Sequence, residues 1–246
     1  MQGIRTFFIA ASSIAVLALV ALVGCSDRSG RRVVDPRVTD VSRPLVCLTY
    51  PTEPPCSYVD STGAIVGTDI DLAQRIAAKL GRKLVVESVK FNDILPRLRA
   101  GTADLGIATI IITEARRRDV DFSEPYGMGG ACFLYRAGGR KPRMSQIATF
   151  RIAVEADSVH DLYLCFHGCD PIRFVCLNDA IAAVEKEEVD AVFFDSIQLR
   201  AKAEASGGRL VVMPLETKDF YGVAVDKRRP DVLAAANAVI AEGGAK

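Results

Sequence analysis

Tryptophan is absent from the 246 residues, histidine occurs only twice, and aromatic side chains make up 7% of the chain. Without tryptophan the chain lacks the most common platform for stacking on a sugar ring, which weakens a sugar-binding reading without excluding it. A surplus of either charge is also missing. With 31 basic against 30 acidic residues the formal charge is +1, which gives no electrostatic footprint for nucleic acid. The basic pieces Arg31-Arg32 and residues 116–118 are too short to form a track along a phosphate backbone. A zinc spacing is lacking as well: Cys165-Phe166-His167-Gly168-Cys169 matches no structural or catalytic template, and neither metal nor cofactor is expected. The one long apolar run, residues 7–23, is too short and ends too abruptly for a membrane span. What remains is ordinary for a globular body: half the residues are hydrophobic and a quarter charged.

That apolar run follows a short segment carrying Arg5 and closes on Leu22-Val23-Gly24-Cys25. The pattern resembles a bacterial lipobox, in which small residues fit the signal peptidase and the cysteine thiol takes diacylglycerol. The expectation is a signal peptide over residues 1–24, lipidation at Cys25, and an extracytoplasmic, membrane-anchored lipoprotein. The alternatives are an ordinary signal peptide or a signal anchor. Residues 25–43 are polar, aperiodic and rich in Gly, Pro, Arg and Asp, and read as a tether. Six cysteines follow: Cys47, Cys56, Cys132, Cys165, Cys169 and Cys176. An oxidising compartment permits disulfides, but six cysteines allow fifteen pairings. Cys47 with Cys56 and a pairing within Cys165, Cys169 and Cys176 both stay open.

From residue 44 onward hydrophobic periodicity alternates between strand and helix. Residues 45–49 read as a strand. Ile70, Ala73, Ile76, Ala77 and Leu80 share one face of a helix over 69–80, which Gly81 can stop. Residues 83–89 form a strand. Asn92 caps a second helix with Pro96 near its first turn, and 104–112 is a buried strand. The pattern repeats over 151–155, 160–166, 173–176, 179–187, 189–194, 196–205 and 210–213. A strand at 220–225 and a helix at 231–242 close the chain. This is an α/β architecture of two lobes with largely parallel sheets. The first lobe spans 44–136 and 220–246, and the second, spanning 137–219, is inserted in it. Open α/β sheets bind ligands beyond the carboxyl ends of their strands, so two facing lobes oppose two such crevices.

Several segments resemble the bacterial extracytoplasmic solute-binding proteins of family 3, the amino-acid-binding components of ABC importers. They are Gly67-Thr68-Asp69-Ile70-Asp71, the run from Phe91 to Asp104, and Ile112-Thr113 through Arg116 to Asp121-Phe122-Ser123-Glu124-Pro125-Tyr126. Arg151-Ile152-Ala153-Val154 with Asp157-Ser158, the run from Val189 to Asp195, and Tyr221-Gly222-Val223-Ala224-Val225 complete the set. The resemblance covers nearly all of residues 44–240. It implies a type II periplasmic-binding-protein fold and a monomer that binds a small polar solute, an amino acid or close derivative, and delivers it to a membrane permease.

By the same resemblance Arg116 takes the ligand's carboxylate, through a planar fork that pairs two-to-two. Asp195 takes its ammonium, although it stands equally where a helix cap belongs. Phe91 packs on the ligand or in the core. Thr109, the backbone of Ile111 and the loop at Ser158 surround the carboxylate. The chain also departs from the family. Ile111 and Val159 replace hydroxyl residues, Thr68 replaces an aromatic, Glu53 replaces a stacking aromatic and Cys56 a phenylalanine. Glu155 stands where an apolar side chain is usual, and the family's aromatic-bearing segment after the last helix is missing. Glu53 and Glu155 either point to solvent or face a ligand end with cationic or donor character. No nucleophile–base pair stands out, so an enzyme is not expected. The alternatives are a module serving a sensor or a periplasmic redox enzyme, and a cyclohexadienyl-dehydratase-like enzyme using Glu53, Glu155 or His160 as acid.

Overall fold

The computed structural model describes Arg37 and residues 40–243; the expected signal peptide and Cys25 lie outside the described residues. In chain order the elements are β1 (Leu45–Thr49), β2 (Thr52–Glu53), β3 (Ser57–Val59), β4 (Ile65–Val66), α1 (Thr68–Lys79), β5 (Leu84–Ser88), α2 (Phe91–Ala100), β6 (Leu105–Gly106), α3 (Glu114–Arg117), β7 (Asp121–Phe122), β8 (Gly127–Gly129) and β9 (Ala131–Arg136). There follow β10 (Ile152–Glu155), α4 (Val159–Phe166), β11 (Ile172–Phe174), α5 (Leu177–Glu185), β12 (Ala191–Asp195), α6 (Ser196–Ala205), β13 (Leu210–Val212), β14 (Asp219–Tyr221), β15 (Ala224–Val225) and α7 (Pro230–Gly243).

Two five-stranded sheets organise these elements. The first has the order β5-β1-β6-β15-β7, with β1 parallel to β5 and β6 and with β15 antiparallel to its neighbours. The second has the order β11-β10-β12-β9-β13, with a parallel half and an antiparallel half. Parallel strands need helical crossovers, and helices on both faces bury the sheet from either side. Accordingly Leu45, Cys47 and Leu105 pack under α1 and α7 on one face of the first sheet, while Leu48 packs with Ile94 and Leu98 of α2 on the other. The second sheet does the same, with Val192 and Leu134 towards α5 and Phe193 and Val154 towards α4.

The chain passes between the sheets at β8 and β14, which pair antiparallel with Gly127 opposite Tyr221 and Gly129 opposite Asp219. The crossing therefore comes before Ala131, not after Arg136 as expected. Cys132, Phe133 and Leu134 are fully buried and pair with Phe194, Phe193 and Val192, so this apolar run belongs to the second sheet.

Three other boundaries differ from the expectation. The helix placed after Asn92 begins at Phe91, with Lys90 as N-cap and no side-chain cap, and Pro96 is its sixth residue. The strand expected over 104–112 keeps only Leu105–Gly106 in the sheet, because Thr109 adopts φ 47° and turns the chain away. The strand expected over 220–225 breaks at Gly222, where an added Cβ would lie 2.9 Å from Ile112 and 3.0 Å from Phe122. All six described cysteines are free thiols.

Candidate functional site

The loops at the carboxyl ends of both sheets wall a single cavity. Tyr50, Phe91, Thr109, Ile111 and Arg116 come from the first lobe; Glu155, Ser158, His160, Phe194, Asp195 and Gln198 come from the second. Six of the seven ligand residues expected from sequence thus converge. For the seventh, Glu53, the backbone lies in the β2–β3 hairpin opposite Ser57.

Arg116 is placed by the short helix α3. The Thr113 hydroxyl caps that helix by accepting the Arg116 N–H at 3.2 Å. The Arg116 guanidinium is half-buried, donates to the Ile111 carbonyl at 2.8 Å, and stands 5.5 Å from the centre of the Phe91 ring. Among the described residues no carboxylate lies within ion-pair distance of it. Burial without a partner disfavours the charged form and lowers its pKa.

Thr109 carries the other first-lobe contact. Its N–H donates to Asp69 at 3.0 Å and to the Tyr126 hydroxyl at 3.2 Å, and these bonds hold a backbone conformation unusual for a β-branched residue. Asp69 is buried and its pKa is pushed up to about 6. The Thr109 hydroxyl accepts the Gln198 amide at 3.4 Å, a bond that crosses from one lobe to the other.

On the second lobe, Asp157 has φ 58° and turns the chain from β10 into α4. Ser158 caps α4: its hydroxyl donates to the Glu155 carbonyl at 2.7 Å and accepts the Asp161 N–H at 3.1 Å. Glu155 is half-buried and its pKa is raised by burial, partly offset by the Leu177 N–H. His160 is buried with both ring nitrogens unpartnered, and its ring lies 4.6 Å from that of Phe194. Burial, and then the charge of Arg116, lower its pKa to about 3, so it is a neutral imidazole at neutral pH.

Asp195 ends β12 and begins α6, and it is both cap and cavity wall. One oxygen accepts the Ile197 N–H at 3.0 Å and the other accepts the Tyr221 hydroxyl. Burial pushes its pKa up to about 6 against the lowering effect of the Tyr221 bond. Among the described residues no cation pairs with it. Sequence reasoning passed over Tyr50, Gln198 and Tyr221. Gln198 was the easiest to find, since it stands three residues after Asp195 and therefore shares its side of α6.

The geometry can be set beside known proteins. The family model described as bacterial extracellular solute-binding proteins, family 3, matches residues 45–245. An arginine-binding periplasmic protein of Mannheimia haemolytica is 26% identical over 152 residues, which make up 61% of this chain and 62% of that protein. The chain thus spans just under two thirds of that relative's length. A glutamine-binding protein of Geobacillus stearothermophilus is 24% identical over 236 residues, 87% of this chain and 90% of that one. The arginine-bound form of a truncated ArgBP from T. maritima superposes with a TM-score of 0.76 at 30% identity, covering 85% of this chain and 99% of the other. A family-wide match and a shared two-lobed type II architecture lead to one conclusion: the chain belongs to the bacterial extracellular solute-binding proteins, family 3.

Proposed function

We propose that the chain binds a free amino acid between its lobes and hands it to an ABC importer without transforming it. One observation carries this reading. Arg116 on the first lobe and Asp195 on the second wall the same cavity, and neither has an ionic partner among the described residues. A desolvated charge without a counter-charge is unfavourable, and a zwitterion supplies both missing partners at once. Its carboxylate meets Arg116 and the N–H groups that follow Ser158; its ammonium meets Asp195.

The lining also favours a class of side chain. Glu155 is an additional half-buried acid, and Gln198 Oε1 is a buried acceptor with no partner. Both call for donors at the ligand's far end, which an arginine or a glutamine side chain has. The relatives named for arginine and glutamine support the same reading. The two lobes close by bending at β8 and β14. The lipobox-like Leu22-Val23-Gly24-Cys25 supports a lipid anchor, and Cys25→Ser should move the protein from the membrane fraction to the soluble fraction of the secreting cell.

The direct test is calorimetric titration of the purified chain with each standard amino acid. Saturable binding is expected for at least one amino acid with a donor-bearing side chain, and the ligand should be recovered unchanged. A folded chain that binds none of them contradicts the amino-acid reading and leaves the fold untouched.

A further inference from the structure

We infer that Tyr221 is a positioning residue for the amino-acid site: it holds the Asp195 carboxylate in the orientation that meets the ligand's ammonium, and ties that orientation to the strands joining the lobes. The inference rests on the assignment of Asp195 proposed above.

Tyr221 does not line the cavity and reaches a ligand only through Asp195. It is 1% exposed and lies on β14, opposite Gly127 of β8. Its hydroxyl donates to Asp195 Oδ2, while Oδ1 accepts the Ile197 N–H at 3.0 Å. Two donors from two different elements fix the carboxylate plane. Each carboxylate oxygen keeps further lone-pair capacity, so an ammonium can be met without displacing either donor. The ring has room because side chains are missing from the partner strand. A Cβ on Gly129 would lie 2.1 Å from the Tyr221 hydroxyl oxygen, and one on Gly127 would lie 3.3 Å from the ring.

The electrostatics agree with this geometry. The groups facing Asp195 are Tyr221 and Asp219 of β14, Cys132 of β9 and the Ile197 N–H of α6. Burial and the charge of Asp219 favour the neutral acid. The donors Tyr221 and Ile197 favour the carboxylate that an ammonium needs. The Tyr221 proton is itself held firmly, by burial and by Asp195.

The test compares the full chain with Tyr221→Phe, using arginine, glutamine, and the corresponding acids in which hydrogen replaces the α-amino group. Affinities are measured by calorimetry from pH 5 to pH 8, alongside the melting temperature. Tyr221→Phe should weaken the amino acids about tenfold, the usual size for one hydrogen bond to a charged group. It should also move the acid limb of their pH profile upward, because Asp195 loses a donor to its charged form. The deaminated acids should be affected less than twofold. Gly129→Ala keeps the hydroxyl but crowds it, and should reproduce the loss. Unchanged affinity and pH profile in Tyr221→Phe overturns the inference, as does an equal loss for amino acids and deaminated acids, which would mark a merely structural role. If the unsubstituted chain binds neither probe, the reading of the site fails first and this inference with it.

Discussion

Replacing Arg116 with alanine should separate ligand affinity from stability. In the ligand-free chain the Arg116 guanidinium makes one hydrogen bond, to the Ile111 carbonyl, and a cation–π contact with Phe91. A hydrogen bond contributes about 1 kcal/mol and a cation–π contact roughly 0.5–1 kcal/mol. Against these stands the relief of removing a partly desolvated charge without a counter-ion. The two sides nearly cancel, so ligand-free stability should change by less than about 1 kcal/mol. Binding is different. A carboxylate buried opposite a missing guanidinium should lose about 3–5 kcal/mol, a factor of roughly one hundred to several thousand in affinity. At a ligand concentration of about 1,000 times the dissociation constant, binding stabilises the unsubstituted chain by about 4 kcal/mol. A thousandfold weaker variant would gain only about 0.4 kcal/mol at that concentration. For a body of this size those gains correspond to melting shifts of about 8–16 °C and about 1–2 °C. Arg116→Lys keeps the charge but loses the planar fork, and should fall between the two. Thermal melts with and without ligand, backed by titration calorimetry, decide the matter. If Arg116→Ala binds within threefold of the unsubstituted chain, the carboxylate does not sit there. If its ligand-free melting temperature drops by more than about 8 °C, Arg116 is a structural residue.

Three further outcomes follow from other parts of the fold. The folded pKa of His160, about 3, lies below the ordinary 6.5, so its contribution to stability is lost as pH falls below 6.5. Asp69 and Asp195, raised from 3.8 to about 6, act the other way, and stability increases as pH falls through 6. The two effects oppose each other as pH falls from about 6 towards 3.8. His160→Leu should therefore be more stable at pH 5 than at pH 7.5 by urea titration, and a variant that loses stability on acidification contradicts the assignment. Arg229 is fully buried and pairs with Asp104 and, at 2.7 Å, with Asp231. Arg229→Met leaves the buried Asp104 with only the longer pair to Arg37, at 3.6 Å, and the Val46 N–H at 2.9 Å. It should cost about 3 kcal/mol in denaturant unfolding, the low end for breaking a buried pair, whereas a loss below about 1 kcal/mol would show the pair to be dispensable. At Gly106 an added Cβ would lie 2.4 Å from Ile94 Cγ2, so Gly106→Ala should destabilise by about 1–3 kcal/mol through overpacking. A neutral effect in a melting experiment would mean that α2 yields freely.

Elements whose local pattern agrees with their burial were legible in the sequence. The apolar face of α1 was read within one residue at each end, and α6 was placed over residues 196–205, where it lies. Misreadings came where tertiary contacts decide. The apolar run from Ile107 to Ile112 looks like strand, but its backbone turns at Thr109 to reach Asp69 and Tyr126, which no local rule anticipates. The run at 131–136 carried no sign of which sheet it would join. Bonds between polar residues far apart along the chain, such as that from Tyr221 to Asp195 26 residues away, are invisible to spacing arguments.

The strands that carry the chain between the lobes meet backbone to backbone. Gly129 leaves no room for a Cβ beside Tyr221, and a Cβ on Gly130 would lie 2.0 Å from the Thr217 carbonyl oxygen. The separation of the lobes at the crossing is thus set by main chain, the part of a protein that substitution cannot resize. Cavity-wall positions such as Glu155, His160 and Gln198 are side-chain properties and can change one at a time. If Arg116 and Asp195 hold the ligand as proposed, a scaffold built this way can exchange one amino-acid side chain for another over its history while the span between them stays fitted to the group that all amino acids share.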